Sequence, residues 1–282
     1  MNEAENLSGA HTSLDAASEA ENNSDEQSPY DVQELAAIFT DFYGFLATLH
    51  YDPANLKLPP PEGWDPAILP ANMICSKSED VVELMKCLPY FAENQKSTHV
   101  HYKSKLVDYT DPEGHDHAEM HDGFLDEVCA WFNHGDSQIT RRSDLLVIAS
   151  GYESGGREFI LDVLHGEIIE DIIRYDTCDP VDVKEFLDDL KNKFRSLELI
   201  PCPGRETLIT AAEPENAAAI SEDQVRAQTE DWGTDLDLQF VRQIYRQYGW
   251  PHEFRRAEAI GFIEQFMAQD EERRGEWELA FH

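Results

Sequence analysis

The sequence is poor in cysteine, and its cysteines are far apart. Five occur in 282 residues, with no CxxC pair among them: Cys75, Cys87, Cys129, Cys178 and Cys202. An odd number of scattered cysteines argues against a disulfide framework, because such frameworks use even sets of paired residues. We therefore expect buried thiols in a protein of a reducing compartment, the cytoplasm or the nucleus.

Long apolar runs are also missing. A membrane-spanning helix needs roughly 20 consecutive apolar residues, and no stretch of this chain approaches that length. The opening sequence MNEAE lacks the basic start of a secretory signal. The sequence therefore predicts a protein without a membrane partner.

Positive charge is scarce. The chain has 22 Lys and Arg residues against 57 Asp and Glu, a formal net charge of −35, and no basic residue precedes Lys57. A negative field of this size repels polyanions, so nucleic acid and anionic membranes are poor partners. Solubility is the simplest explanation of the acidity. The alternative is a docking surface for a partner protein with a basic segment, whose affinity would fall steeply with added salt.

The residue sets of common reaction mechanisms are absent as well. There is no GxSxG sequence for a serine nucleophile, and the loop at residues 151–156 lacks the Gly-Lys-Ser/Thr ending of a phosphate-binding loop. Cys87 and Cys129 have apolar neighbours, which is typical of unreactive core thiols. No carboxylate pair can be singled out among 57 acidic residues, because some pairs come close by chance. We expect no catalytic residue and no bound cofactor.

One segment keeps an enzymatic alternative open. Five histidines occur among acidic residues between positions 99 and 122: His99, His101, His115, His117 and His121. Imidazoles and carboxylates bind divalent metals, so a metal-dependent hydrolase is the second hypothesis. The spacing differs from the zincin motif, because Ala118 follows His117 where that motif needs Glu. A loop of this composition also chelates added metal without any function.

The most informative stretch runs from Asp144 to Ile173 and contains three short apolar segments, DLLVIAS, REFILDV and GEIIEDII. The first is continuously apolar, as in a strand covered on both faces, and the second alternates with period two. Glycine-containing turns between them join antiparallel strands. The stretch therefore predicts an antiparallel β-meander. Asp162 within it lies either on the solvent face or in a structural hydrogen bond at the turn.

A helix is predicted to follow the meander and to pack across it. Asp179-Pro180 has the pattern of an N-cap followed by proline at the first helical position. Val183, Leu187 and Leu190 then recur at helical spacing. Acidic residues begin this segment and basic residues end it, which complements the helix dipole.

A set of residues in the meander and its helix matches a known pattern: Ile148, Gly155, Gly156, Phe159–Asp162, Gly166 and Phe186-Leu187. In these positions the chain resembles the SUKH superfamily, which takes in fungal cell-wall-assembly regulators and bacterial toxin-immunity proteins. The resemblance implies a non-catalytic α+β binding scaffold whose ligand varies from member to member. It also implies structural roles for Gly155, Gly156, Asp162 and Gly166. The leading hypothesis is therefore a non-catalytic intracellular protein-binding scaffold or regulator. It rests on this resemblance, on the acidity of the chain and on the absence of a recognisable set of catalytic residues.

The predicted fold class is α+β, with an antiparallel β-meander sheet flanked by helices and a C-terminal αα-hairpin. Residues 1–28 are polar and acidic and contain no aromatic residue, which predicts a disordered tail. Residues 29–204 form the α+β domain and residues 205–221 a linker. Residues 222–282 carry two amphipathic helices, expected to dock on the main domain because their apolar faces cannot stay exposed.

Local patterns make further predictions. A helix opens at Ser28-Pro29, a capping box of Ser76 and Glu79 starts another, and residues 98–107 alternate as one strand. The triproline at residues 59–61 predicts a stiff crossing loop, with a ligand for proline-recognition domains as the alternative. Four arginines are expected to form ion pairs that hold the C-terminal hairpin to the acidic main domain: Arg242, Arg246, Arg255 and Arg256.

Overall fold

The structure is a computed structural model, and it describes residues 28–92, 99–111, 124–133, 140–201, 208–209, 215–216, 218–269 and 273. Its helices are α1 (Val32–Thr48), α2 (Ala71–Ser76), α3 (Glu79–Cys87), α4 (residues 124–132), α5 (Val183–Ser196), α6 (Glu222–Arg226), α7 (Asp235–Gln247) and α8 (Arg256–Ala268). Its strands are β1 (Leu56–Lys57), β2 (Tyr90–Phe91), β3 (His99–His101), β4 (Ser104–Leu106), β5 (Leu145–Gly151), β6 (Arg157–Asp162), β7 (Glu167–Ile172), β8 (Asp176–Thr177), β9 (Val181–Asp182), β10 (Leu199–Ile200) and β11 (Leu208–Ile209). The main sheet has the strand order β3-β4-β5-β6-β7-β8, and β9 also pairs with β7.

The α+β class and the predicted meander are confirmed. β5, β6 and β7 pair antiparallel, with Leu146 opposite Leu161 and Leu161 opposite Ile168. The apolar residues of β5 and β6 are buried, as expected for strands covered on both faces. α5 packs over the sheet, where the ring of Phe186 lies 5.0 Å from the ring of Phe159 in an edge-to-face contact.

Two turns of the meander require glycine. A Cβ at Gly156 would lie 2.5 Å from the carbonyl oxygen of Tyr152 and 2.9 Å from that of Lys103. Gly166 has a φ of 67°, and a Cβ there would lie 2.6 Å from the ring of Tyr30. Backbone atoms and a packed ring occupy the space that a side chain would need, so these turns close only with glycine.

Asp162 is a buried carboxylate, and it is 2% exposed. It accepts a hydrogen bond of 3.1 Å from the backbone N–H of His165, and its Oδ2 lies 2.8 Å from Nδ1 of the same residue. Burial raises the pKa of Asp162, and the hydrogen bonds from His165 oppose that shift. Of the two roles left open by the sequence, the structure shows the hydrogen bond at the turn.

Two predicted helix starts are wrong. α1 begins after Asp31 and not at Ser28-Pro29, because Asp31 and Glu34 form a capping box through hydrogen bonds of 2.8 and 2.9 Å. Ser76 does not cap α3, because Ser76 is the last residue of α2 and Ser78 is the N-cap of α3. Both errors have one cause, because several Ser and Asp residues compete as caps within a few positions.

The N-cap of α5 is Asp182, three residues later than predicted. The carboxylate of Asp182 accepts hydrogen bonds of 3.0 Å from the backbone N–H groups of Lys184 and Glu185. Asp179 does not fill this role, because Asp182 and the residue before it first pair with β7 as strand β9. Sheet pairing therefore delays the start of the helix.

The prediction of one strand over residues 98–107 is wrong. Residues 99–106 form a hairpin in which His101 lies opposite Ser104, with Tyr102 and Lys103 in the turn. Lys103 has a φ of 47°, a left-handed conformation that alternation of side chains does not reveal. The chain therefore reverses direction in the middle of the alternating pattern.

α7 and α8 pack against each other in opposite directions. The ring of Phe240 lies 5.0 Å from that of Phe266, and the ring of Tyr248 lies 6.4 Å from that of Phe262. Of the helices within the described ranges, none is long and apolar enough to cross a membrane.

The arginines of α7 hold the end of α5 through its backbone carbonyl groups. Arg242 Nε donates to the carbonyl oxygen of Leu197 at 2.9 Å, and Arg246 Nη2 donates to that of Ser196 at 3.3 Å. The last four carbonyl groups of a helix have no partner within the helix, so these bonds satisfy otherwise open acceptors. Arg246 Nη2 also forms an ion pair of 2.9 Å with Glu215, a residue of the segment predicted as the linker.

The two remaining arginines behave differently from each other. Arg256 Nη2 lies 3.3 Å from Asp52 Oδ1 of the main domain, which is the kind of ion pair that the sequence predicted. Arg255 pairs with Glu258 at 3.1 Å, three residues along the same helix, and so does not link the hairpin to the domain through this ion pair.

Candidate functional site

An open groove of about 600 Å³ lies between α1, α3 and the triproline. α1 supplies Gln33, Ala36, Ala37, Thr40 and Asp41, α3 supplies Glu83 and Cys87, and residues 59–63 form the opposite wall. We call it the triproline groove. Its volume is in the range of small-molecule and short-peptide pockets.

The proline wall is fixed in place by the end of α3. The backbone N–H of Trp64 donates to the carbonyl oxygen of Lys86 at 2.9 Å, and its indole Nε1 donates to that of Leu88 at 2.8 Å. Gly63 adopts a φ of 81° next to Lys86, where a Cβ would lie 3.1 Å from the carbonyl oxygen. Open carbonyl groups at a helix end are thus used to anchor the loop that carries the prolines.

The helix wall of the groove is formed by alanines and polar side chains of α1. Gln33, Ala37 and Asp41 follow one another at spacings of four, so they lie along one face of α1. The opposite face carries buried core residues, among them Leu35 and Phe39. An amphipathic helix thus turns its large side chains to the core and leaves alanines facing the prolines.

The charges that line the groove are all negative: Asp41, Glu62 and Glu83. Two of them have basic neighbours outside the lining. Asp41 pairs with Lys191, and Glu83 pairs with Lys86 at 2.6 Å. The hydrogen bond from Lys86 to Glu83 raises the pKa of Lys86. The groove therefore combines proline and alanine side chains with three carboxylates, which we call the acidic rim.

The lining has no set of groups that could perform a reaction. Among its described residues there is no imidazole, and the hydroxyl group of Thr40 already donates to the carbonyl oxygen of Ala36 at 2.7 Å. The thiol of Cys87 lies 4.0 Å from Glu83 Oε1 and accepts a hydrogen bond of 3.5 Å from Gln33. The lining therefore offers apolar and hydrogen-bonding contacts to a ligand.

The structure places two of the five predicted metal ligands. His99 and His101 lie on β3, both buried, with His99 Nε2 at 2.8 Å from the hydroxyl group of Tyr152 and the His101 ring 5.9 Å from that of Phe159. His115, His117 and His121 lie outside the described residues. Within the described ranges, no group of three or more His, Cys, Asp or Glu side chains is placed to hold a metal ion. The metal site stays a prediction.

Burial keeps three imidazoles neutral. It lowers the pKa of His101 to about 3, that of His99 to about 4 and that of His50 to about 3. Nearby cations add to the effect, such as Lys105 at His99. His50, which the sequence did not single out, lies with Nε2 at 3.2 Å from the carbonyl oxygen of His99. These rings are packed as parts of the core.

The groove itself was not predicted from the sequence. The triproline was the available signal, and it was interpreted as a crossing loop or as a ligand for another domain. Comparisons of the chain with protein-family models, with curated proteins and with solved structures find no match. The resemblance to the SUKH superfamily therefore stays a prediction carried by the residues of the meander.

Proposed function

We propose that this protein is a non-catalytic binding protein that holds a basic segment of a partner protein in the triproline groove. The observation that carries the proposal is the groove itself, a cleft lined by prolines and alanines whose charged lining residues are all acidic. The meander resembles the SUKH scaffold, for which a ligand that varies between members is expected, and this is consistent with binding as the function.

The charge of the groove selects the partner. Asp41, Glu62 and Glu83 stand at the rim, within a chain of formal net charge −35. A Lys or Arg side chain of the partner would pair first with Glu62, because Asp41 and Glu83 already pair with Lys191 and Lys86. Apolar side chains of the partner would cover the prolines and alanines. The long-range field steers a basic segment towards the protein, and the groove determines where it binds.

Two further points concern the cellular compartment and the source of the affinity. Cys75, Cys87, Cys129 and Cys178 are free thiols, which supports a reducing compartment, the cytoplasm or the nucleus. Exposed ion pairs contribute only about 0–1 kcal/mol each, so we expect apolar contact in the groove to supply much of the affinity.

Titration of the full chain with fluorescent peptides of about twelve residues tests the proposal, since such a length spans a groove of this class. One probe alternates Lys or Arg with Leu or Val, and a second replaces every basic residue with Glu. We expect the basic probe to bind, the acidic probe not to bind in the groove, and affinity to fall between about 0.05 M and about 0.5 M salt.

Matched variants separate the groove from the overall field. Glu62→Lys with Glu83→Lys reverses two rim charges, and Glu253→Lys with Glu264→Lys makes the same change at exposed residues of the connection between α7 and α8 and of α8 itself. We expect the rim pair to lower affinity by about tenfold more than the control pair. Equal losses in the two variants would show that only net charge matters and would contradict the proposal.

A charge-neutral variant tests the shape of the groove. Ala37→Trp places a large ring in the groove from an exposed position of α1, and Ala257→Trp is the control on an exposed position of α8. We expect only the first to abolish binding of the basic probe. If Ala37→Trp binds as the parent chain does, the segment does not occupy this groove.

A further inference from the structure

Three turns at one end of the main sheet contain strained backbone. Of the four described non-glycine residues with left-handed φ, three lie here: Lys103 at 47°, Glu153 at 58° and Arg174 at 69°. Backbone hydrogen bonds join the turns, since the N–H of Tyr152 donates to Lys103 at 3.0 Å and that of Gly155 donates to Ile173 at 3.1 Å. Conformations of this kind cost free energy and cluster at binding sites and catalytic sites.

Tyrosine rings flank the glycine in the middle turn. A Cβ built at Gly155 would lie 3.5 Å from Cε1 of Tyr102 and 3.8 Å from Cε2 of Tyr175. Tyr175 is 74% exposed, which is unusual for so large a side chain. The absence of a side chain at position 155 leaves room for both rings next to this turn.

Lysine side chains lie near two tyrosine rings of these turns. Lys103 Nζ lies 5.4 Å from the ring centre of Tyr102, and Lys105 Nζ lies 5.9 Å from that of Tyr152. Lys103 also pairs with Glu153 at 2.7 Å. Lys105 and Arg174 are exposed, and neither forms an ion pair with another described residue. Basic and aromatic side chains thus alternate at one place on a protein that is otherwise strongly acidic.

We infer that this surface, formed by Tyr102, Lys103, Lys105, Tyr152, Arg174 and Tyr175, binds a short acidic segment of a partner protein. We call it the turn patch. Carboxylates of the segment would pair with Lys105 and Arg174, whose charges are not neutralised by an ion pair with another described residue. An apolar side chain next to those carboxylates would lie on the exposed ring of Tyr175.

Screening of charges by salt favours a short acidic segment over a larger acidic partner. At physiological salt, charges separated by more than about 8 Å are largely screened, so a short segment responds mainly to the local cations. A nucleic acid extends well beyond the turn patch and meets the acidic surface of a chain with formal net charge −35. A second copy of the chain would be repelled for the same reason. A short acidic peptide is therefore the occupant that the charges favour.

Fluorescence anisotropy with the full chain and two labelled probes tests the inference. The first probe alternates Asp or Glu with Trp or Leu, and the second has the same apolar residues with Ser in place of every acid. We expect the acidic probe to bind and the serine probe to bind at least about tenfold more weakly, with a loss of affinity in high salt.

Variants assign the binding to the turn patch. Lys105→Glu with Arg174→Glu should weaken binding of the acidic probe by at least about tenfold. Lys184→Glu with Arg255→Glu changes the net charge equally at exposed residues elsewhere and should have a much smaller effect. Tyr175→Ser, at an exposed position, should weaken binding without altering the unfolding midpoint.

Three outcomes would overturn the inference. They are equal losses in the two charge variants, tight binding of a single-stranded oligonucleotide that competes with the acidic probe, and association of the chain with itself as the only interaction detected by sedimentation. The result is independent of the triproline groove, because the two surfaces share no residue. Ala37→Trp should leave binding of the acidic probe unchanged, even if the groove proves to have no ligand.

Discussion

Arg273 and Asp237 form a buried ion pair, with Arg273 Nη2 2.9 Å from Oδ2 of Asp237 and 3.1 Å from Oδ1. Their side chains are 5% and 3% exposed. Arg273 also donates to the carbonyl oxygens of Glu230 at 2.7 Å and Val225 at 2.9 Å. One side chain near the C-terminus thus joins α6, the loop after it and the first turn of α7.

Arg273→Ala should lower the free energy of unfolding by about 3–5 kcal/mol, because it leaves the carboxylate of Asp237 buried without its partner. Arg255→Ala is the control, since the pair of Arg255 with Glu258 is exposed and its loss should cost at most about 1 kcal/mol. Urea unfolding measures both. Equal changes would mean that the buried network does not stabilise the C-terminal helices.

Stability should fall as the pH falls below about 6.5, because His50, His99 and His101 have folded-state pKa values of about 3, 4 and 3. The unfolded chain takes up protons near pH 6.5, whereas the folded chain does not, so acid favours unfolding. The contribution is fully present above pH 6.5. It is lost towards pH 4–3, by about 1 kcal/mol per histidine between pH 7 and pH 5.5.

His101→Phe tests that linkage at one residue. It keeps an aromatic ring against Phe159 and removes a titrating group, so the stability difference between pH 7 and pH 5.5 should shrink by about 1 kcal/mol. An unchanged pH dependence in His101→Phe would show that this ring takes up a proton in the folded protein.

Gly156→Ala should destabilise the protein by about 1–3 kcal/mol, because a Cβ there meets backbone atoms that cannot move independently. Gly44→Ala in α1 is the opposite case, since no atom lies within 4 Å of its Cβ position. Alanine favours a helix over glycine, so this variant should gain about 0.5–1 kcal/mol. Thermal unfolding of the two variants under identical conditions should move the midpoint in opposite directions.

Asp182→Ala should cost about 1–2 kcal/mol, because it removes the N-cap of α5 and the 2.7 Å hydrogen bond from the hydroxyl group of Tyr30. Asp179→Ala should change stability by no more than about 0.5 kcal/mol, as at other exposed surface positions. Chemical denaturation distinguishes them. A larger loss of stability in Asp179→Ala than in Asp182→Ala would contradict this assignment and would indicate that Asp179 is the N-cap of α5, as the sequence pattern predicts.

Local sequence patterns were sufficient to predict those elements in which neighbouring residues in the chain determine which side chains are buried. The apolar runs before and after the turn at Gly155 predicted β5 and β6, and helical spacing predicted the core face of α5. Cap positions were less well determined, because Asp179 and Asp182 have similar local preferences. Pairing of Val181 with Ile168 on β7 decided between them, and no pattern within residues 179–195 contains that information.

Amino-acid sequence alone determined the α+β class, the meander and the acidic character, because periodicity and net charge are properties of the chain itself. Tertiary structure decided where the triproline groove and the turn patch lie. The triproline faces a groove only because Trp64 donates hydrogen bonds to the end of α3, and Tyr102 and Tyr175 both lie beside Gly155 only because antiparallel pairing brings their turns to one end of the sheet. Contacts between residues distant in sequence depend on the whole fold, so they cannot be inferred from local composition.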